Sequence, residues 1–188
     1  MLLLASRSPR RRELLKLLNI PFTIVDLKDV EESYSPDLSP EKIPEFLSKL
    51  KAEAYSDSLL DDDILITADT VVLLEDKILG KPGNLDEARN MLNALSGKTH
   101  KVITGVTLTT KQTSVTFSSV TEVKFSHLSP IDIDFYVENF RPLDKAGAYG
   151  IQEWIGAIGV ESINGSFYNV MGLPVHKLYH ELLSFIQR

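Results

Sequence analysis

With 188 residues, 43% of them hydrophobic and 24% charged, the chain has enough apolar surface for one substantial core and is expected to form a single domain over residues 1–188. It contains no cysteine, which excludes disulfides, thiolate zinc sites and a cysteine nucleophile and makes the cytoplasm the default compartment. No apolar run approaches the roughly 18 to 20 residues that cross a bilayer, and the net charge of -6 speaks against a general nucleic-acid binder.

Leu2 to Ala5 reads as a short core strand and not as a signal peptide, because no basic region precedes it and Arg7 cuts the apolar run. Ser8 as N-cap and Pro9 at the first helical position then open a helix with Leu14, Leu15, Leu17 and Leu18 on its apolar side and Asn19 as its stop. Arg7, Arg10, Arg11, Arg12 and Lys16 stand here against Glu13 alone, a basic spot in an acidic chain that suits a small polyanion. Strand, loop and helix start bring backbone N–H groups, the positive dipole end, Arg10 and Arg11 to one point, which fits phosphate oxygens. A solvated basic helix start is the alternative, although arginines at that end oppose the dipole.

Pro21 to Asp26 reads as a second strand, followed by Glu31 and Glu32, a pair that suits either a divalent cation or an acidic surface. From Ser39 to Leu59 the pattern is helical, with Ile43, Phe46, Leu47, Leu50 and Ala54 on one side; Lys51 reads as solvated helix surface unless its neighbours converge on one pocket. The stretch LITADTVVLLEDKILGK, Leu65 to Lys81, is an apolar strand that carries Asp69, turns at Glu75-Asp76 and returns to present Lys81. An acid among Ile66, Ala68, Val71 and Val72 needs a partner. A metal ion, a water or a cation would serve, and so would backbone amides at a strand bend.

Asn84 caps a helix that turns Ala88, Met91, Leu92 and Leu95 inward and ends at Gly97. His100 to Thr110 and Thr113 to Ser126 form a hairpin around Lys111-Gln112, and Ser129-Pro130 starts a helix reaching about Asn139. Glycines at 147, 150, 156, 159, 165 and 172 then indicate tight turns in place of a long regular element. A last helix, Val175 to Ile186, is expected to face Leu178, Leu182, Leu183 and Ile186 to the core.

Several tempting motifs fail. SGKT at Ser96 to Thr99 lacks the first P-loop glycine, Leu92 standing in its place; His176 and His180 lack the glutamate of a zinc-protease motif; Ser166 sits in no nucleophile elbow; and GAYG is no dinucleotide fingerprint.

Six motifs together are specific: SRSPRRRELL (6–15), ADTVV (68–72), GKP (80–82), LSGKTHKVITGV (95–106), DKAGAYGIQ (144–152) and GSFYNVMGLP (165–174). In this order the chain resembles the Maf family of nucleoside triphosphate pyrophosphatases from its first strand to its last helix. The resemblance implies a mixed α/β fold, with an elongated curved sheet flanked by helices and two lobes around a cleft. The implied reaction turns a nucleoside triphosphate and water into the monophosphate and pyrophosphate with a divalent metal, Mg or Mn. Asp69 is then the catalytic carboxylate, as proton acceptor for the attacking water or as a metal ligand close to it. Ser6, Arg10 and Arg11 grip the phosphates, and Lys51 and Lys81 neutralise the leaving pyrophosphate. Glu32, or Glu31 beside it, shares the metal with Asp69.

Thr70 and Gln152 are similar to the branch acting on dTTP and UTP, and an amide offers the donor and acceptor that a uracil or thymine imide face needs. Many relatives carry a glycine after that Gln, whereas here Glu153-Trp154 follows; Trp154 either stacks on a base or caps the core. The family also carries the label septum formation inhibitor, so a nucleotide-binding regulator without essential turnover is the competing class. A homodimer is among the assemblies the resemblance implies, and neither nucleic acid nor a membrane is expected as a partner.

Overall fold

Leu2–Ala5 forms strand β1, in which Leu3, Leu4 and Ala5 are all buried. It pairs in parallel with β2 (Thr23–Val25) on one edge and with β3 (Ile64–Leu74) on the other. A strand enclosed in this way needs an uninterrupted apolar run, which is what LLLA supplies. Parallel neighbours require crossovers. Helix α1 (Pro9–Lys16) connects β1 to β2, and α2 (Ile43–Glu53) connects β2 to β3. The structure is a computed structural model and describes residues 1–187.

The expected hairpin at Glu75-Asp76 is present: Glu75 takes a left-handed φ of 55°, and β3 returns as β4 (Lys77–Leu79) with Leu74 opposite Lys77. Helix α3 (Leu85–Leu95) begins where the Asn84 side chain accepts the Glu87 N–H at 2.9 Å. Strands β5 (Thr99–Thr109) and β6 (Ser114–Phe125) follow, and then α4 (Pro130–Phe140) with a full capping box between Ser129 and Asp132. The chain continues through α5 (Trp154–Gly159), β7 (Val160–Asn164), α6 (Phe167–Met171) and α7 (Val175–Ile186). The seven-stranded sheet runs β2-β1-β3-β5-β6-β7, with β4 added to β3, so the fold is mixed α/β with helices on a sheet.

By its internal contacts the chain divides into two compact units. The first holds Met1–Thr70, Thr104–Ser119 and the chain from Gly172; the second holds Val71–Ile103 and Val120–Met171. Strands β3, β5 and β6 each contribute to both. A core of Leu3, Ala5, Tyr55, Leu59 and Leu65 belongs to the first unit. A larger one, with Leu92, Val102, Phe125, Ile133, Tyr136 and Tyr149 among its members, belongs to the second.

The structure corrects three local expectations. The helix expected from Ser39 to Leu59 is α2 flanked by separate 3₁₀ turns at Pro40–Lys42 and Ser56–Ser58, and Phe46 lies exposed, one helical step from buried Leu47. In α7 the buried stripe is Val175, Leu178, Leu182 and Phe185; Leu183 and Ile186 sit about 100° further round and face outward. In α1 only Leu14 and Leu15 are buried, and Leu17, expected on the apolar side, is exposed. The glycine-rich region holds no long element, as expected, its α5, β7 and α6 being five or six residues each. His176 and His180 are exposed neighbours on α7. Among the described residues no helix is long and apolar enough to cross a membrane.

Candidate active site

Asp69 sits in the middle of β3, two residues after Thr67 on the same face of the strand. Thr67 donates its hydroxyl to the Ser48 carbonyl of α2 at 2.7 Å, and the Ser48 hydroxyl meets Thr107 Oγ1 of β5 at 2.9 Å. These bonds tie α2 to the strands three residues before Lys51, on the face that carries it. Gly105 of β5 makes the approach possible, because a Cβ there would lie 2.2 Å from the Pro44 carbonyl oxygen in the first turn of α2. Only a residue without a side chain lets helix and strand come this close.

The consequence is that Lys51 is not solvated helix surface. It is buried, and its Nζ bonds Asp69 Oδ1 at 2.6 Å and Glu32 Oε1 at 3.0 Å. A buried ammonium is tolerated when it is paired in this way. Within the cluster the Lys51 and Asp69 side chains are 11% and 14% exposed, whereas Glu32 is 48% exposed and keeps one side open to solvent. The carboxylates of Asp69 and Glu32 offer hard oxygen donors of the kind a divalent cation takes together with water and substrate phosphate. Glu31 is exposed, and among the described residues no group of three acidic, histidine or cysteine side chains is gathered for a metal.

The loop between β1 and α1 lies in the same unit. Ser6 is buried and its hydroxyl accepts the Ser8 N–H at 3.2 Å, while the Ser8 hydroxyl caps α1 by accepting the Arg11 N–H at 3.4 Å. Arg12 closes back on the Ser6 carbonyl, and Arg7 pairs with Asp29 at the surface. Arg10, partly exposed, stands in the first turn of α1.

Arg11 has a different situation. Its Nε donates to the Gly172 carbonyl at 2.8 Å, Nη1 to the Ala68 carbonyl at 2.8 Å and Nη2 to Thr70 Oγ1 at 3.0 Å. The guanidinium therefore grips the residue on each side of Asp69. Burial pushes its pKa below the ordinary value, and the Asp69 charge acts in the opposite direction. Thr70 Oγ1 is also bonded to Thr104 Oγ1 at 2.9 Å. Gly172, with φ of 113°, presents its carbonyl in a conformation that side chains strain against, which accounts for the glycine of the GLP motif.

Lys81 and Gln152 belong to the second unit, and both are exposed. The Gly80 carbonyl, next to Lys81, accepts the Gly147 N–H at 3.0 Å, and Gly147, at φ 68°, packs so closely on Val72 that a Cβ would come within 2.9 Å of Cγ2. The GKP and DKAGAYG motifs are thus joined. Trp154 packs against the core and meets Phe135 edge-on, with ring centroids 4.7 Å apart. Core capping, not an open stacking face, describes it. Lys51 burial, the Arg11 clamp and Gly105 escaped the sequence reading, since each depends on partners tens of residues away.

One unit of this mixed α/β fold thus holds both an arginine-rich helix start, of the kind that suits phosphate oxygens, and a buried ammonium shared by two carboxylates. The chain belongs to the Maf-like protein family, whose model matches residues 1–185. It is similar to the dTTP/UTP pyrophosphatase of Bacteroides thetaiotaomicron, with 52% identity over 181 residues covering 96% of this chain and 94% of that protein. The dTTP/UTP pyrophosphatase of Phocaeicola vulgatus is 54% identical over the same length and coverage. Among solved structures, a HAM1 protein from Coxiella burnetii aligns with a TM-score of 0.53 over 97% of this chain and 98% of that one, at 16% identity, a likeness of fold alone.

Proposed function

We propose that this chain is a nucleoside triphosphate pyrophosphatase that hydrolyses dTTP and UTP, with modified pyrimidine nucleotides as further substrates, to the monophosphate and pyrophosphate. The observation that carries the reading is the Asp69–Lys51–Glu32 cluster, in a chain about half identical to relatives named for that activity. In this reading residues 1–188 act as one catalytic domain, since the family match runs through both units, and the chain works in the cytoplasm.

Asp69 accepts the proton of the attacking water on the carboxylate oxygen that Lys51 does not hold. Lys51, at 2.6 Å, keeps that carboxylate oriented and places positive charge beside it. The water attacks one phosphorus of the α–β anhydride and its oxygen enters that product as the bond to the other breaks, giving monophosphate and pyrophosphate, and Arg10 with the Ser6 loop holds phosphate oxygens by charge-assisted bonds. Arg11 keeps Ala68 and Thr70, and hence Asp69 between them, in position. Lys81 neutralises charge on pyrophosphate, and the Gln152 amide pairs with the imide face of the base. Glu32, with Glu31 as the alternative acid, and Asp69 where it does not take the proton, would hold a divalent metal, Mg or Mn, which would supply Lewis-acid charge to the phosphate oxygens.

The testing experiment is a panel of dTTP, UTP, CTP and GTP with Mg or Mn, scoring pyrophosphate against orthophosphate. The reading expects pyrophosphate, fastest from dTTP and UTP. Orthophosphate alone, or no preference for these two, would overturn it.

A further inference from the structure

The loop that carries Gln152 is held by a partly buried network of polar groups. Glu153 Oε2 accepts the Tyr136 hydroxyl, and Oε1 lies 3.2 Å from Lys145 Nζ. Lys145 is itself buried and also bonds Asp144 Oδ1 at 2.7 Å. The Tyr136 hydroxyl in turn accepts the Gly150 N–H at 3.0 Å, while the Glu153 N–H donates to the Gly150 carbonyl, also at 3.0 Å. Burial, and then the bond to Glu153, push the Tyr136 pKa upward, so its hydroxyl stays protonated as the donor.

The glycines here leave little room for a side chain. A Cβ on Gly150 would lie 2.7 Å from Glu153 Cδ, and one on Gly156 would lie 1.8 Å from the Ile151 carbonyl oxygen. Glu153 also starts α5, its carbonyl accepting from Gly156 at 3.0 Å and Ala157 at 3.2 Å. Ile151 and Ile155 are buried on either side, while Gln152 faces outward. An isolated, exposed glutamine is thus mounted on a segment fixed at both ends.

A Lys–Glu pair with its lysine buried is an inefficient source of stability, because desolvation offsets much of the attraction. We propose that Glu153, anchored by Tyr136 and Lys145, is a positioning residue that fixes the backbone from which Gln152 projects and so sets the pyrimidine selectivity of the reaction. This rests on the assignment of the base to Gln152 made above.

The test compares full-length Glu153→Gln and Tyr136→Phe, both close in shape to the native residues, with Gln152→Leu as reference, measuring kcat and KM for dTTP, UTP and GTP and the thermal midpoint of each protein. The expected result is that both network variants raise KM for dTTP and UTP about tenfold with kcat within about twofold and KM for GTP little changed, as loss of one oriented polar contact predicts. Gln152→Leu should lower the same selectivity ratio. If Gln152→Leu lowers it while Glu153→Gln and Tyr136→Phe change only the thermal midpoint, the network is merely structural and the inference is overturned. If Gln152→Leu leaves the ranking of nucleotides unchanged, the base assignment itself fails, and this inference with it.

Discussion

Lys51 and Lys145 are both buried, and both are paired with carboxylates, yet their surroundings differ in one respect. The Lys51 cluster includes Glu32, whose side chain is 48% exposed, so the cluster can exchange partners with an incoming ion or phosphate. Around Lys145, Asp144 is also exposed, at 58%, but both oxygens of Glu153 are already taken, one by Lys145 and one by the buried Tyr136. A carboxylate that bonds its cation and keeps solvent access is suited to chemistry. One whose two oxygens are both held by its own protein is suited to keeping something else in place.

The sharpest way to break this distinction is to disturb the geometry of the first cluster without touching its members. Arg11→Lys replaces a planar fork by a single ammonium that cannot reach Gly172, Ala68 and Thr70 together, so Asp69 loses the grip on its two neighbours. We expect kcat for dTTP to fall about a hundredfold, as misplacement of a reacting group predicts. Arg10→Ala should instead raise KM about tenfold with kcat nearly kept, the signature of uniform binding. Steady-state kinetics of the two variants check this, and the same KM effect from both would make Arg11 another phosphate ligand.

The second region offers a smaller effect in stability. His100 is buried against Phe125 and Tyr149, its Nε2 sharing a 2.7 Å bond with the Tyr149 hydroxyl, and burial pushes its pKa from 6.5 down to about 4. The folded chain keeps the imidazole neutral, whereas the unfolded chain takes up a proton first as pH falls. This contribution is therefore complete above pH 6.5 and is lost as pH falls through about 4, a loss on the order of 3 kcal/mol. Urea midpoints at several pH values should fall less steeply with acid in His100→Gln than in the native chain. Equal slopes would place the acid sensitivity elsewhere.

What was legible in the sequence was what neighbours along the chain decide. The Ser8-Pro9 helix start, the β3–β4 turn and the isolated acid at 69 all follow from residues within a few positions. Nothing near Lys51 in the chain marks it as buried, because that depends on Gly105, more than fifty residues away, letting α2 settle on β5. The role of Arg11 depends likewise on carbonyls at 68 and 172, which no periodicity reveals. In the stretch from 144 to 174, glycines that permit close packing concealed two short helices and an edge strand. Leu183 and Ile186 misled for a simpler reason, since apolar residues at a helix surface are common and the buried stripe of α7 is narrow.

The central claim, that the Asp69 carboxylate beside Lys51 drives release of pyrophosphate, is tested most directly by Asp69→Asn with dTTP as substrate. The account predicts a folded protein with a thermal midpoint close to the native one and pyrophosphate release lowered about a thousandfold or more, the scale of a lost general base. Pyrophosphate released at the native rate by that variant would contradict it.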